Sequence, residues 1–196
     1  MFQPLVLALL LLGLAGAVSA AAPEERLLGQ AVGLVYLHGA WVWTSIVALA
    51  SAAISGLVGL LRRSNRLHAW SLALGQTGTF FWVTYLPISM WTMQATWGGL
   101  YLAEPRWRLG VSFAVAAVLV QAAILLIGRP TWASVLNVLT FGVLAFSLSR
   151  TASVMHPASP VFGSGAAAII AVFLVIQFCC VGAAAMIAYA LHQRRS

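Results

Sequence analysis

Apolar residues in this chain do not alternate with polar ones. They run on without interruption, and polar residues are confined to short breaks. The runs cover about 2–22, 31–61, 68–93, 109–128, 132–149 and 166–191. Each is close to, or longer than, the ~20 residues a helix needs to cross a bilayer. The pattern predicts an all-α integral membrane protein, a bundle of six transmembrane helices forming one domain over residues 1–196. A membrane β-barrel would need alternation and is excluded. The second run would be ~46 Å long as a helix, so it must tilt or protrude. Pro87 lies inside the third run and favours a kink there. The stretch Ala17 to Ala22 has the small residues of a signal-peptidase site. No basic residue precedes the first run, and it is read as a retained first helix.

Composition agrees with the pattern. The chain is 62% hydrophobic and 7% charged, with mean hydropathy +0.99. Its net charge of +7 comes entirely from arginines that flank apolar runs, which is how topology determinants are distributed and gives no reason to invoke nucleic acid. Arg62, Arg63, Arg66, Arg129, Arg194 and Arg195 fall on one face of a six-helix topology, and Arg26, Arg106, Arg108 and Arg150 on the other. The positive-inside rule makes the first face cytoplasmic, with both termini, in an inner or plasma membrane. Cys179 and Cys180 are adjacent within an apolar run, lack redox-pair spacing, and are read as packing residues.

Chemistry concentrates on the opposite, outer face. The segment Trp97 to Arg108 reads Trp-Gly-Gly-Leu-Tyr-Leu-Ala-Glu-Pro-Arg-Trp-Arg, too polar to span and rich in aromatics. His156 lies in the loop 151–165 on the same face. His38 lies near the outer start of the second helix, ~36 Å before Arg62 at helical rise. His68 and His192 fall at the inner rim. Each feature alone has an ordinary explanation: Trp and Tyr populate interfacial belts, and loop arginines are solvated. Together they match the needs of heme. Iron takes imidazole axially, a flat macrocycle needs aromatic faces, and propionates pair best with Arg. A zinc site is disfavoured, with two histidines and only Glu104 as a nearby carboxylate. The chain has no Asp, so no Ser-His-Asp set can form, and no enzymatic activity is expected.

The chain resembles the heme-handling proteins of cytochrome c assembly, the CcmC/CcsA type. Tyr36-Leu37-His38-Gly39-Ala40-Trp41 is similar to that family's Tyr-Ile-His-Val-Pro-x-Ala-Trp. Trp97 to Arg106 is similar to its Trp-Gly-x-Trp-Trp-x-Trp-Asp-x-Arg loop, and Met155-His156-Pro157 falls where the family carries a second external His. Leu100, Tyr101 and Ala103 stand where the family has Trp, and Glu104 replaces its Asp. The resemblance covers residues 27–190 and implies non-covalent b-type heme on the outer face. His38 and His156 would be the axial ligands. Trp97, Gly98 and Tyr101 would form a platform with Glu104 and Trp107 beside it, and Arg106 and Arg108 would meet the propionates. The implied partners are heme, a heme chaperone or other membrane subunits of an assembly system, and the lipid bilayer. Two other functions fit the same residues: a bis-His heme subunit of a membrane electron-transfer complex, and a cofactor-free accessory subunit.

Overall fold

The computed structural model describes residues 3–25, 28–152, 161 and 166–194. Arg26, Arg195 and His156 lie outside the described residues. Six helices follow one another: α1 (Gln3–Ala20), α2 (Val32–Arg62), α3 (Asn65–Trp97), α4 (Pro105–Ile127), α5 (Pro130–Arg150) and α6 (Ala167–Gln193). Among the described residues there is no β-strand, only an isolated antiparallel bridge between Glu25 and Gly29. Five helices, all but α3, are long and apolar enough to cross a membrane.

Local chemistry explains where the helices stop. Gly98 and Gly128 follow α3 and α4 with φ of +70° and +64°, a left-handed conformation that a residue without Cβ adopts at no steric cost. Pro105 and Pro130 open α4 and α5, where a missing N–H costs nothing. The third and fourth helices therefore reach further than the hydrophobic runs 68–93 and 109–128. The segment expected as one loop over 97–108 is helical at both ends, and only residues 98–104 connect α3 to α4. Capping preferences outrank hydropathy in setting these boundaries.

The α2–α3 hairpin is the centre of the bundle. It turns at Arg63 and Ser64, and its helices run antiparallel, which polar contacts along their length record. Thr92 Oγ1 donates to the Leu34 carbonyl at 3.5 Å, and Trp41 Nε1 to Thr84 Oγ1 at 2.8 Å. Ser45 Oγ donates to the Gly78 carbonyl at 2.7 Å, and Ser71 Oγ to the Ala52 carbonyl at 2.8 Å. Small residues let the backbones approach. A Cβ on Gly78 would come within 2.6 Å of the Leu49 side chain and 3.0 Å of its backbone nitrogen. This is how helices associate in lipid, where hydrophobicity supplies no driving force between them.

The third helix differs from the apolar span that hydropathy leads one to expect. It carries Ser71, Gln76, Thr77, Thr79, Thr84, Ser89 and Thr92 along its length. Neighbours enclose it: α3 packs against α2, α4, α5 and α6. Polar side chains are tolerated there because each meets protein rather than lipid. Asn137 of α5 donates to the Ser71 carbonyl at 2.8 Å and accepts from Gln121 Nε2 of α4 at 2.9 Å, while the His68 ring bonds Ser134 Oγ at 2.7 Å. The first helix is peripheral. It lies on α6 and α2, and Ser19 Oγ donates to the Gly33 carbonyl at 2.7 Å.

Replacing Gly78 by Val should force α2 and α3 apart. Overpacking of this kind costs about 1–3 kcal/mol. Thermal denaturation in detergent should show a lowered midpoint for Gly78→Val, and an unchanged midpoint would contradict the close approach.

Candidate functional site

His38 sits in the second turn of α2, half-buried, on the side turned to α3. Its ring lies 5.8 Å from that of Tyr85, tilted by 54°. Behind Tyr85 the aromatic contacts continue. Tyr85 meets Trp82 edge-on at 5.2 Å, and Trp82 meets Phe113 of α4 edge-on at 4.9 Å. Trp82 Nε1 donates to the Gly110 carbonyl at 3.0 Å, and the Tyr85 hydroxyl rests against the Cα of Gly110. Gly110 is required there, because any Cβ would occupy the space of that hydroxyl. Three helices thus hold one imidazole beside a wall of packed rings.

On the other side of α2, Tyr36 meets Phe173 of α6 at 6.5 Å, and Gly39 lies where a Cβ would contact the same ring at 3.4 Å. Val161 joins this group. It is buried in one cluster with Val32, Tyr36, Phe173, Ile176 and both cysteines, so Cys179 and Cys180 are packing residues as expected. Val161 belongs to the α5–α6 connection, the same connection that carries His156 in sequence. Val161 thus shares one buried cluster with Tyr36 and Ala40, which stand two residues either side of His38.

The remaining candidates occupy other levels. Trp97 ends α3, twelve residues beyond Tyr85, which is about 18 Å along the helix axis. Its ring meets that of Tyr101 edge-on at 5.8 Å, forming a pair at the tip of α3 with Gly98 exposed between them. His38 and the Trp97–Tyr101 pair are therefore not on one tier. Glu104 is buried and is the N-cap of α4. Its Oε2 accepts from the Trp107 backbone N–H at 2.7 Å. A buried carboxylate at a helix N-terminus is stabilised by the free N–H groups and the helix dipole. Glu104 thus has a structural role in the sequence Glu-Pro that opens α4.

The two arginines diverge. The buried stripe of α4 comprises Gly110, Phe113, Ala114, Ala117, Gln121 and Ile124. Arg106 lies one turn before Gly110, at the helical angle of that stripe, and is itself exposed at the helix end. Arg108 continues the exposed stripe through Val111, Ser112 and Val115. Trp107 is half-buried between them. Helical periodicity thus puts Arg106, and not Arg108, on the side of the His38–Tyr85 contact.

Sequence reasoning missed Tyr85, Trp82 and Gly110. Phe81 and Tyr85 fall four residues apart, a spacing that puts them on one helix face, and this signal was present. Pairing Tyr85 with His38 required the α2–α3 register, which periodicity does not supply. Of the tryptophans with an interfacial-belt explanation, Trp43 (55% exposed) and Trp91 (63% exposed) fit it. Trp41 does not, since its indole N–H is committed to Thr84 and its ring lies 5.0 Å from Phe81. His68 and His192 are buried at the opposite end. His68 is bonded to Ser134, and His192 is stacked on Trp70 at 4.1 Å.

The capping role of Glu104 can be measured. Losing an N-cap costs ~1 kcal/mol, so hydrogen exchange at the Trp107 amide should accelerate about fivefold in Glu104→Ala and be largely restored in Glu104→Ser. Equal exchange in all three proteins would contradict the role.

No family model matches the chain, and no curated protein or solved structure is significantly similar to it.

Proposed function

We propose that this protein handles heme in a membrane, in support of cytochrome c assembly. In this reading all six helices cross the bilayer, α3 within the shelter of its neighbours, and the end bearing residues 98–104 faces outward. His38 and His156 would hold the heme iron. Heme is b-type, held without a covalent bond, and is passed to a partner protein, either a heme chaperone or another membrane subunit. The chain needs no catalytic group for this.

One observation carries the reading. Val161, from the connection that contains His156, is buried in the same hydrophobic cluster as Tyr36 and Ala40, the residues two before and two after His38 on α2. In this reading the connection brings His156 toward His38. The surroundings suit a macrocycle. The half-buried His38 imidazole lies beside the Tyr85 ring, with Trp82 packed behind it. Arg106 stands at the helical angle of the buried α4 stripe one turn before Gly110, where it suits a propionate, and Arg108 suits a phospholipid headgroup instead. The Trp97–Tyr101 pair, a tier away from His38, is assigned to the rim where heme enters and leaves. Bound heme would supply an iron centre that takes two imidazoles. The protein would supply orientation, an aromatic wall and a carboxylate partner.

A second reading, a fixed redox heme in an electron-transfer complex, is favoured by the depth of His38 below that rim. Transfer separates the two. Protein loaded with hemin should yield it to an excess of apomyoglobin, and Trp97→Ala should change the rate of that transfer more than the amount of hemin bound. Hemin that stays on the protein through the same incubation would favour the redox reading. A protein that takes up no hemin would overturn both.

A further inference from the structure

At the end of the bundle remote from His38, a cleft of about 260 Å³ opens between α3 and the α4–α5 turn. Ala69, Leu72, Ile124 and Leu125 make its apolar walls, and Gly128, Arg129 and Pro130 lie at its mouth. Arg129 separates two helices that are each apolar enough to cross a membrane, so the mouth must lie at a membrane interface whichever way the protein is inserted. Exposed Trp132, in the first turn of α5, is the residue type that settles at headgroup level. Leu125 both lines the cleft and is exposed, so the apolar part is continuous with the lipid-facing surface.

Charge complements this shape. Arg66 stands three residues before Ala69 on α3, on the same face and one turn nearer the helix end. It is exposed, as is Arg129. Two guanidinium-bearing residues from separate elements therefore flank one mouth. The N-termini of α3 and α5 and the C-termini of α2 and α4 meet at this end, so the helix dipoles offset and the charge at the mouth comes from the arginines. His68 is the other titratable group on this turn of α3, and its ring is turned away to Ser134.

We propose that this cleft binds one anionic phospholipid, with an acyl chain lying between α3 and α4 and the phosphate between Arg66 and Arg129. The apolar walls explain why the ligand is a lipid and not a free anion. The paired arginines explain why it is an acidic lipid.

Native mass spectrometry of the full chain in a mild detergent tests this, with phosphatidylglycerol and phosphatidylcholine as probes. The wild-type protein should retain one phosphatidylglycerol in preference to phosphatidylcholine. The Arg66→Gln/Arg129→Gln double variant, altered only at exposed positions, should bind it about tenfold or more weakly, and Arg129→Gln alone should fall between. The charge-matched control Arg62→Gln/Arg63→Gln should bind like wild type. Equal retention of both lipids, or an equal loss in the control, would overturn the site by showing diffuse charge attraction. Displacement of the lipid by an equal concentration of inorganic phosphate would overturn the assignment to lipid.

Discussion

A bilayer offers no hydrogen bonds, so each polar group inside it must find its partner within the protein. The α2–α3 pair meets this constraint in a way that decides the rest of the fold. Glycines bring the two backbones close, and hydroxyls donate across the gap to carbonyl oxygens. A helix as polar as α3 cannot face lipid, so α4, α5 and α6 gather around it. Asn137 extends the same logic outward by tying α5 to α3 and α4 through one amide. The peripheral α1 then closes on α2 and α6 with a single buried hydroxyl contact from Ser19.

The register set by that pair also builds the candidate site. Because Trp41 meets Thr84 and Thr92 meets Leu34, His38 must face the turn of α3 that carries Tyr85. Gly110 then lets α4 approach until the Tyr85 hydroxyl rests on its backbone, and Glu104 starts α4 at the height this approach requires. The aromatic wall beside His38 is therefore a consequence of helix packing. It is assembled from Tyr85, Trp82 and Phe113, all buried in one core cluster that serves stability. Toward one end His38 stands beside Tyr85, and at the other Arg129 lies at the mouth of an apolar cleft, with His68 and His192 buried nearby in the bundle.

Much of this was legible in the sequence. The unbroken apolar runs set the helical class, and the glycines and prolines around residues 98–105 and 128–130 marked the ends of helices. Hydropathy alone misplaced those ends, because residues 94–97 and 105–108 are polar enough to look like loop while being capped as helix. In sequence Trp97, Tyr101 and His38 read as one site, whereas about 18 Å of α3 separates Trp97 from the Tyr85 that meets His38. Arg106 and Arg108 look equivalent in sequence. Only the buried stripe of α4 separates them. Glu104 read as a carboxylate near a site, whereas the following Pro105 and the Trp107 amide identify it as a cap.

The central claim is that His38 and the connection bearing His156 serve one iron. The most direct measurement is the absorption spectrum of the detergent-purified protein before and after dithionite, alongside His38→Ala and His156→Ala. The claim predicts a Soret band with sharp, split α and β bands on reduction, lost or shifted in each variant. A wild-type protein that stays colourless when hemin is added, or a heme spectrum that neither substitution changes, would contradict it.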